Sequence, residues 1–314
     1  MADNEKESAP EIRKQDQAAS GAPHSGWAIG DRFSWQEIQD RLLASASEEI
    51  TSETQELILS GITAGIAITL TLIGYAVGTS HFPDNAFMAA ILYPLGFIYI
   101  ILGRFQLYTE NTLPPVTLIL TRLASIPLLL RVWGLVIIGN LIGAIAGGYV
   151  LAKTSVLSPD GMEAATTFVS HGLELEWWDV FFRAMFAGWL VAGVVWLNIA
   201  ARDTISRIII VYLVFFMICA SNLFHVVTAA AEVSFSIFHT TEYEISSLII
   251  NYWIPVLLGN TAGGVLLFAN MAYFQSERKR YPEFRILSIR DWLFTKKGGR
   301  QFGTPRPRPP RDSD

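Results

Sequence analysis

Two stretches decide how this chain is read: Trp133-Gly-Leu-Val-Ile-Ile-Gly-Asn-Leu-Ile-Gly143 and Trp253-Ile-Pro-Val-Leu-Leu-Gly-Asn-Thr-Ala-Gly263. They match at Trp, at Gly139 and Gly259, at Asn140 and Asn260, and at the closing Gly. Each sits in an apolar run long enough to cross a bilayer, the third and the sixth of the chain. The second lies three spans after the first, with two spans between them, so the second copy enters the membrane from the opposite side. The chain therefore reads as an inverted repeat, with halves at about 56–151 and 178–274. Glycines alone would signify only close helix packing. That reading leaves the shared Trp and Asn, and their order, unexplained.

The six runs are Glu56–Val77, Ala86–Thr121, Ser125–Leu151, Trp178–Ala200, Ile208–Phe238 and Ser246–Phe274. Half of the 314 residues are apolar (51%), and they come in continuous blocks. The pattern is that of an all-α integral membrane protein with six transmembrane helices, not a β-barrel with its short alternating segments. The formal charge of −5 arises mostly in tails and loops, which gives no reason to expect a nucleic-acid partner. Cys219 is the only cysteine, so neither a disulfide nor a cysteine metal site is expected, and no cofactor motif is present. Residues 1–33 read as a disordered tail without a removable signal, 34–280 as the membrane domain, and 281–314 as an amphipathic basic segment with a Pro/Arg tail. Ser34 and Glu37 form a candidate capping box, and Trp35, Ile38 and Leu42 share one face of a short amphipathic helix, at the membrane surface or against the bundle. Arg122, Arg131, Arg202 and Arg207 lie in loops on one side, together with Glu277-Arg-Lys-Arg280; the opposite loops carry only Lys153. Arg183, just inside run four, counts weakly against this division. By the positive-inside rule both termini face the cytoplasm of a multi-pass inner or plasma membrane protein.

Runs two and five are too long for single spans. Run five would measure about 45 Å as one helix, against a hydrocarbon core of about 30 Å. If its second half is helical, Ser221, Asn222, His225, Thr228 and Glu232 fall on one face. Ionisable groups at that depth are costly unless they face a cavity or a partner, which marks them as functional candidates; helix-to-helix hydrogen bonding is the plainer alternative. Run two contains Gly103-Arg-Phe-Gln-Leu-Tyr-Thr-Glu-Asn-Thr-Leu-Pro-Pro115. Its prolines and polar groups require a broken helix whose loop lines a cavity.

Taken together, these residues resemble the formate/nitrite transporter family over about 35–280. The carriers are Gln106-Leu-Tyr-Thr109 with Glu110-Asn111 in a broken second helix, His225 in a broken fifth helix, the paired Gly139-Asn140 and Gly259-Asn260, and Leu190–Trp196 in the fourth helix. The resemblance implies an aquaporin-like six-helix fold, a homo-pentamer with one pore per subunit, and passage of a small monovalent anion or its weak acid, often with a proton. It also implies that Thr109 and His225 meet at the pore centre, with Phe105, Tyr108 and Phe224 forming constrictions; Asn222, from the polar stripe, is a further pore candidate. An imidazole titrates near neutral pH and can donate a hydrogen bond or a proton there.

The chain departs from the family at several points. Gln106 replaces the usual Glu, Ala229 and Gly188 stand where Asn is common, and His171 is the nearest basic residue to a missing Lys. Arg104, Glu110 and Glu232 are expected to replace the missing charges, with Arg104 pairing to one of the carboxylates. A pore for a neutral solute is the alternative in the same fold class, although the paired Asn-Pro-Ala signature of water and glycerol channels is absent. A non-conducting scaffold or sensor acting through its tails, with the basic 285–297 segment on lipid head groups, is a third reading. The five scattered histidines and the lack of a nucleophile or phosphate-loop motif argue against an enzyme.

Overall fold

The computed structural model describes residues 33, 35–240, 242–275 and 286–298. The proposed capping Ser34, both terminal tails and the basic Glu277–Arg280 cluster lie outside them. Helix α1 (Trp35–Thr51) is followed by α2 (Thr54–His81), α3 (Ala86–Gly103), α4 (Pro114–Leu120), α5 (Ile126–Lys153), α6 (Pro159–Leu173) and α7 (Trp177–Ala200). Then come α8 (Thr204–Ala220), α9 (Val226–His239), α10 (Ile245–Phe274) and the short α11 (Ile289–Phe294). Helices α2, α3, α5, α7 and α10 are long and apolar enough to cross a membrane, and α8 and α9 are shorter apolar helices. Joined end to end at Ser221–His225, α8 and α9 make the sixth crossing. This is an integral membrane bundle of two inverted three-helix repeats, with the second and fifth spans broken.

The two breaks have the same construction. Helix α3 ends at Arg104 in the left-handed region (φ 57°), and α8 ends in the same way at Asn222 (φ 51°). Such a turn folds the chain back on the helix it has left: Phe105 N donates to Ile100 O (3.0 Å), and Leu223 N donates to Ile218 O (2.9 Å). Proline does not cause the first break. Pro114 and Pro115 occupy the first turn of α4, where their missing N–H groups cost nothing. In the second half no proline is needed, and the chain passes straight into α9 with His225 as its N-cap. Ser221 and Asn222 therefore do not share a helical face with His225; that expectation is corrected by the break itself.

Each loop is clamped by the asparagine that the sequence repeat picked out. Asn140 on α5 accepts from Tyr108 N (2.9 Å) and donates to Gln106 O (2.8 Å) and Gly61 O (2.9 Å). Asn260 on α10 accepts from Val226 N (2.8 Å) and donates to Phe224 O (2.8 Å) and Ala184 O (2.7 Å). The repeated tryptophans add one bond each, Trp133 Nε1 to Asn111 O (2.9 Å) and Trp253 Nε1 to Val226 O (3.2 Å). Glycines let the helices come close enough for this. A methyl on Gly65 or Gly143 would overlap backbone across the α2–α5 contact, and one on Gly188 or Gly263 would do so across α7–α10.

Of its two expected placements, helix α1 takes the one against the bundle. Its Ile38, Leu42, Ala46 and Ile50 are buried against the bundle, where it packs on α4 and α7, and Trp35 meets Trp196 at 5.5 Å. The described part of the basic C-terminal segment docks at the same end: Leu287 N donates to Arg122 O (2.8 Å), and Trp292 Nε1 to Ile119 O (2.9 Å). Burial against the bundle pushes the Glu49 carboxyl up to about 7, against the opposing pull of the Ser45 hydrogen bond and of the Arg104 charge.

Asn140→Asp and Asn260→Asp keep the side-chain acceptor but lose both donors, leaving two backbone carbonyls short of a partner. Each variant is expected to lose about 2–4 kcal/mol, seen as earlier thermal unfolding in detergent, and the two losses should be alike. The raised Glu49 value also has a pH signature. Between about 4.5 and 7 the folded chain holds a proton that the unfolded chain has lost, so stability falls as pH rises through that window. Glu49→Gln should therefore raise the melting temperature at mildly alkaline pH and leave it unchanged in acid.

Candidate functional site

The two breaks bring one side chain from each half together. Thr109 Oγ1 lies 2.7 Å from His225 Nε2, and both residues are buried. Helix geometry sets the state of the imidazole. As N-cap of α9, its Nδ1 accepts from Thr228 N (3.4 Å), and Thr228 Oγ1 stands 3.3 Å from the same nitrogen. With Nδ1 accepting, the hydrogen of the neutral ring sits on Nε2 and points at Thr109. Thr109 Oγ1 then accepts that hydrogen and keeps its own to donate. The ring is backed by aromatic edges and faces: Phe97 stacks on Phe215 at 3.6 Å and meets His225 edge-on at 4.9 Å.

The structure distributes the remaining candidates around this pair. Tyr108 is buried, with its hydroxyl 2.8 Å from Thr261 Oγ1 and its ring edge-on to Trp133. Phe224 is buried and lies edge-on to Tyr252 at 5.4 Å. Phe105 turns the other way, stacked at 5.9 Å on Tyr99, which is 57% exposed. Asn222 lies in the left-handed turn, where its carbonyl accepts from Arg183 Nη1 (3.2 Å). That bond gives Arg183, out of place by the charge rule, a position at the end of a helix.

The charged candidates do not form the expected pairs. Arg104 is exposed and makes no salt bridge to Glu110 or Glu232 among the described residues; its charge acts on Glu49 of α1. Glu110 opens the 3-10 turn Glu110–Thr112, and Glu49 is also its ionisable neighbour. Glu232 is 1% exposed and accepts from the hydroxyl of Tyr252 (2.7 Å). Gln106 accepts from Asn111 Nδ2 (2.8 Å), while its N–H donates to Ser60 Oγ (2.9 Å). It braces the loop. Ala229 is buried inside α9, and His171 lies on α6 with its Nε2 buried and without a hydrogen-bond partner among the described residues.

Sequence reasoning missed Tyr252, Tyr93, Phe97, Phe215 and Glu49. Tyr252 stands next to the repeated Trp253, and that adjacency was the one available signal. At the bundle end where α9 finishes, a cavity of about 360 Å³ is lined by Glu163, His239, Glu242 and Tyr243 among others.

The comparisons agree with this geometry. The family model described as "Formate/nitrite transporter" matches residues 36–274. An Escherichia coli relative, "Inner membrane protein YfdC", is 27% identical over 76% of this chain and 77% of its own. Among solved structures, "Pentameric formate channel with formate bound" aligns with a TM-score of 0.61 at 23% identity, covering 70% of this chain and 96% of that one. "FNT family ion channel" aligns with a TM-score of 0.70 at 18% identity, covering 77% and 100%. A family match across most of the chain, on a bundle whose two clamped breaks meet in a Thr–His pair, establishes that the chain belongs to the formate/nitrite transporter family: it is a membrane transport protein and not an enzyme.

Proposed function

We propose that the chain is a pore for a small monovalent weak acid of the formate or nitrite kind, that its path passes the Thr109–His225 pair, and that five copies assemble with one path each. The observation that carries this reading is the 2.7 Å contact of two buried polar groups, one from each broken span. An anion stripped of water in an apolar passage pays the cost of an isolated charge. At Thr109 it would meet a hydroxyl whose oxygen is already bonded by His225 Nε2, a donor strengthened by its own acceptance. The N-terminus of α9 begins at this point and adds favourable N–H dipoles. Together these offset part of the charge and leave the solute's oxygen facing an exchangeable hydrogen. Phe97, Phe215, Phe224 and Tyr108 supply surroundings that exclude water.

The solute class and the pentamer draw on the solved relative, a pentameric formate channel with formate bound. Exposed Leu59, Ile66, Ile138, Ile142 and Ile145 on α2 and α5 give the subunit broad apolar faces for neighbours and lipid. By the positive-inside rule we read the end bearing Arg122, Arg131, Arg202 and Arg207 as cytoplasmic; α1 and the described C-terminal segment dock on it.

Proteoliposomes containing the full chain should take up formate or nitrite faster than protein-free vesicles. His225→Phe should reduce that uptake by about a hundredfold, a loss typical of removing a positioned proton-transfer group. Glycerol entry serves as control. Glycerol flux without anion flux, or a His225→Phe variant that conducts as the wild type does, would overturn the proposal.

A further inference from the structure

Glu232 remains unused by this reading, and its surroundings are unusual for a structural carboxylate. It lies seven residues beyond His225 on α9, so the two share a face about 10 Å apart along the axis. Its Oε2 accepts one hydrogen bond, from Tyr252 (2.7 Å), and it is almost fully buried. The titratable groups within electrostatic reach are Tyr252, Tyr93, Tyr75 and the thiol of Cys219. Helices α5 and α6 also pack on α9; α6 brings Glu163 to the end of α9 beside His239, and its His171 precedes the Gly172 that lies against the Tyr252 ring. One hydroxyl donor without a cation does not offset the cost of an isolated buried charge. The group is suited to holding a proton and passing it on.

A line of hydroxyls leads from Tyr93 to the centre, and Thr228 within it stands one helical turn before Glu232 on α9. Tyr93 donates to Thr228 Oγ1 (3.5 Å), Thr228 Oγ1 is 3.3 Å from His225 Nδ1, and His225 Nε2 is 2.7 Å from Thr109 Oγ1. We propose that Glu232, held by Tyr252, is a proton-exchanging station between the end of the bundle where α9 finishes and the central His225, and that it supplies the proton that accompanies the solute. The inference rests on the reading that the path passes Thr109 and His225.

The transfer balances without an oxidant or reductant. The Glu232 proton moves by way of water to the Tyr93 hydroxyl, which passes its own hydrogen to Thr228, and Thr228 passes its own to His225 Nδ1. His225 gives up its Nε2 hydrogen to Thr109, and the hydrogen of Thr109 goes to the solute's oxygen. Only O–H and N–H bonds form and break. The solute becomes the neutral acid, Glu232 becomes a carboxylate, and one proton from the aqueous side restores it. The acidic mouth formed by Glu163 and Glu242 near the end of α9 favours delivery of that proton.

The test measures radiolabelled formate uptake and proton entry, the latter with a pH dye inside the vesicles, in proteoliposomes of the full chain at external pH between about 5 and 8. In Glu232→Gln, which can still accept from Tyr252, formate-linked proton entry should fall about tenfold and lose its dependence on external pH. Tyr93→Phe cuts the hydroxyl line without touching Glu232 and should act in the same direction if the first variant folds poorly. Tyr252→Phe should keep coupling but shift the midpoint of the pH profile. Wild-type proton entry and profile in both Glu232→Gln and Tyr93→Phe, while His225→Phe abolishes uptake, would overturn this station alone. Absence of formate and nitrite flux in the wild type would overturn the pore reading and the station with it.

Discussion

Everything at the centre of this bundle depends on how two breaks in membrane-spanning helices are paid for. Interrupting a helix in a bilayer frees backbone N–H and C=O groups that lipid cannot satisfy. Here one asparagine on a neighbouring intact helix answers each break with three hydrogen bonds, one accepted and two donated. No other uncharged side chain except glutamine offers both an acceptor and a two-hydrogen donor. The shorter asparagine reaches a loop from a helix packed directly beside it.

That reach requires close helices, and the glycine seams provide it. Asn140 donates to the carbonyl of Gly61 on α2, and a Cβ on Gly65 would overlap the backbone of Asn140 itself. The α7–α10 contact is built in the same way, with Ala184 receiving the bond and Gly188 leaving the room. Gly188 therefore has a structural duty of its own. It is the position at which the second clamp closes.

The clamps were legible in the sequence because they recur: Trp, Gly and Asn repeat at matched spacing, and an inverted repeat follows from counting spans. The break in run two was legible from Gly103, the polar run and the prolines. The break in run five left no such mark, because a left-handed Asn222 and a histidine N-cap do the work without proline; reading Ser221 and Asn222 into a helical stripe followed from that. Charge pairing was not legible. The charge of Arg104 acts on Glu49 of the docked helix α1, more than fifty residues away in sequence, and Glu232 found a tyrosine hydroxyl instead of a cation. Such partners are chosen by packing between segments whose relative placement no local pattern records. Phe105 shows the same limit at short range, since one left-handed residue before it decided which way its ring turned.

The scaffold is symmetric but the chemistry is not. Aligning the clamped residues, Tyr108 with Val226 and Gln106 with Phe224, sets Leu107 opposite His225 and Thr109 opposite Val227. In each pair one half carries the polar group and the other an apolar one, so the central contact uses a single functional side chain from each repeat. Duplicating the histidine would place two titratable rings in the same low-dielectric space, where like charges on both are strongly disfavoured. Beyond the centre the halves differ further. The first continues through a 3-10 turn to Pro114, while the second enters α9 at once and carries its polar stripe outward to Glu232. An inverted repeat by itself gives a path that looks alike from both faces of the membrane. In the same alignment Pro114 stands opposite Glu232, so the buried carboxylate of α9 has no matching carboxylate in the first half and the two sides of the Thr109–His225 contact are unequal.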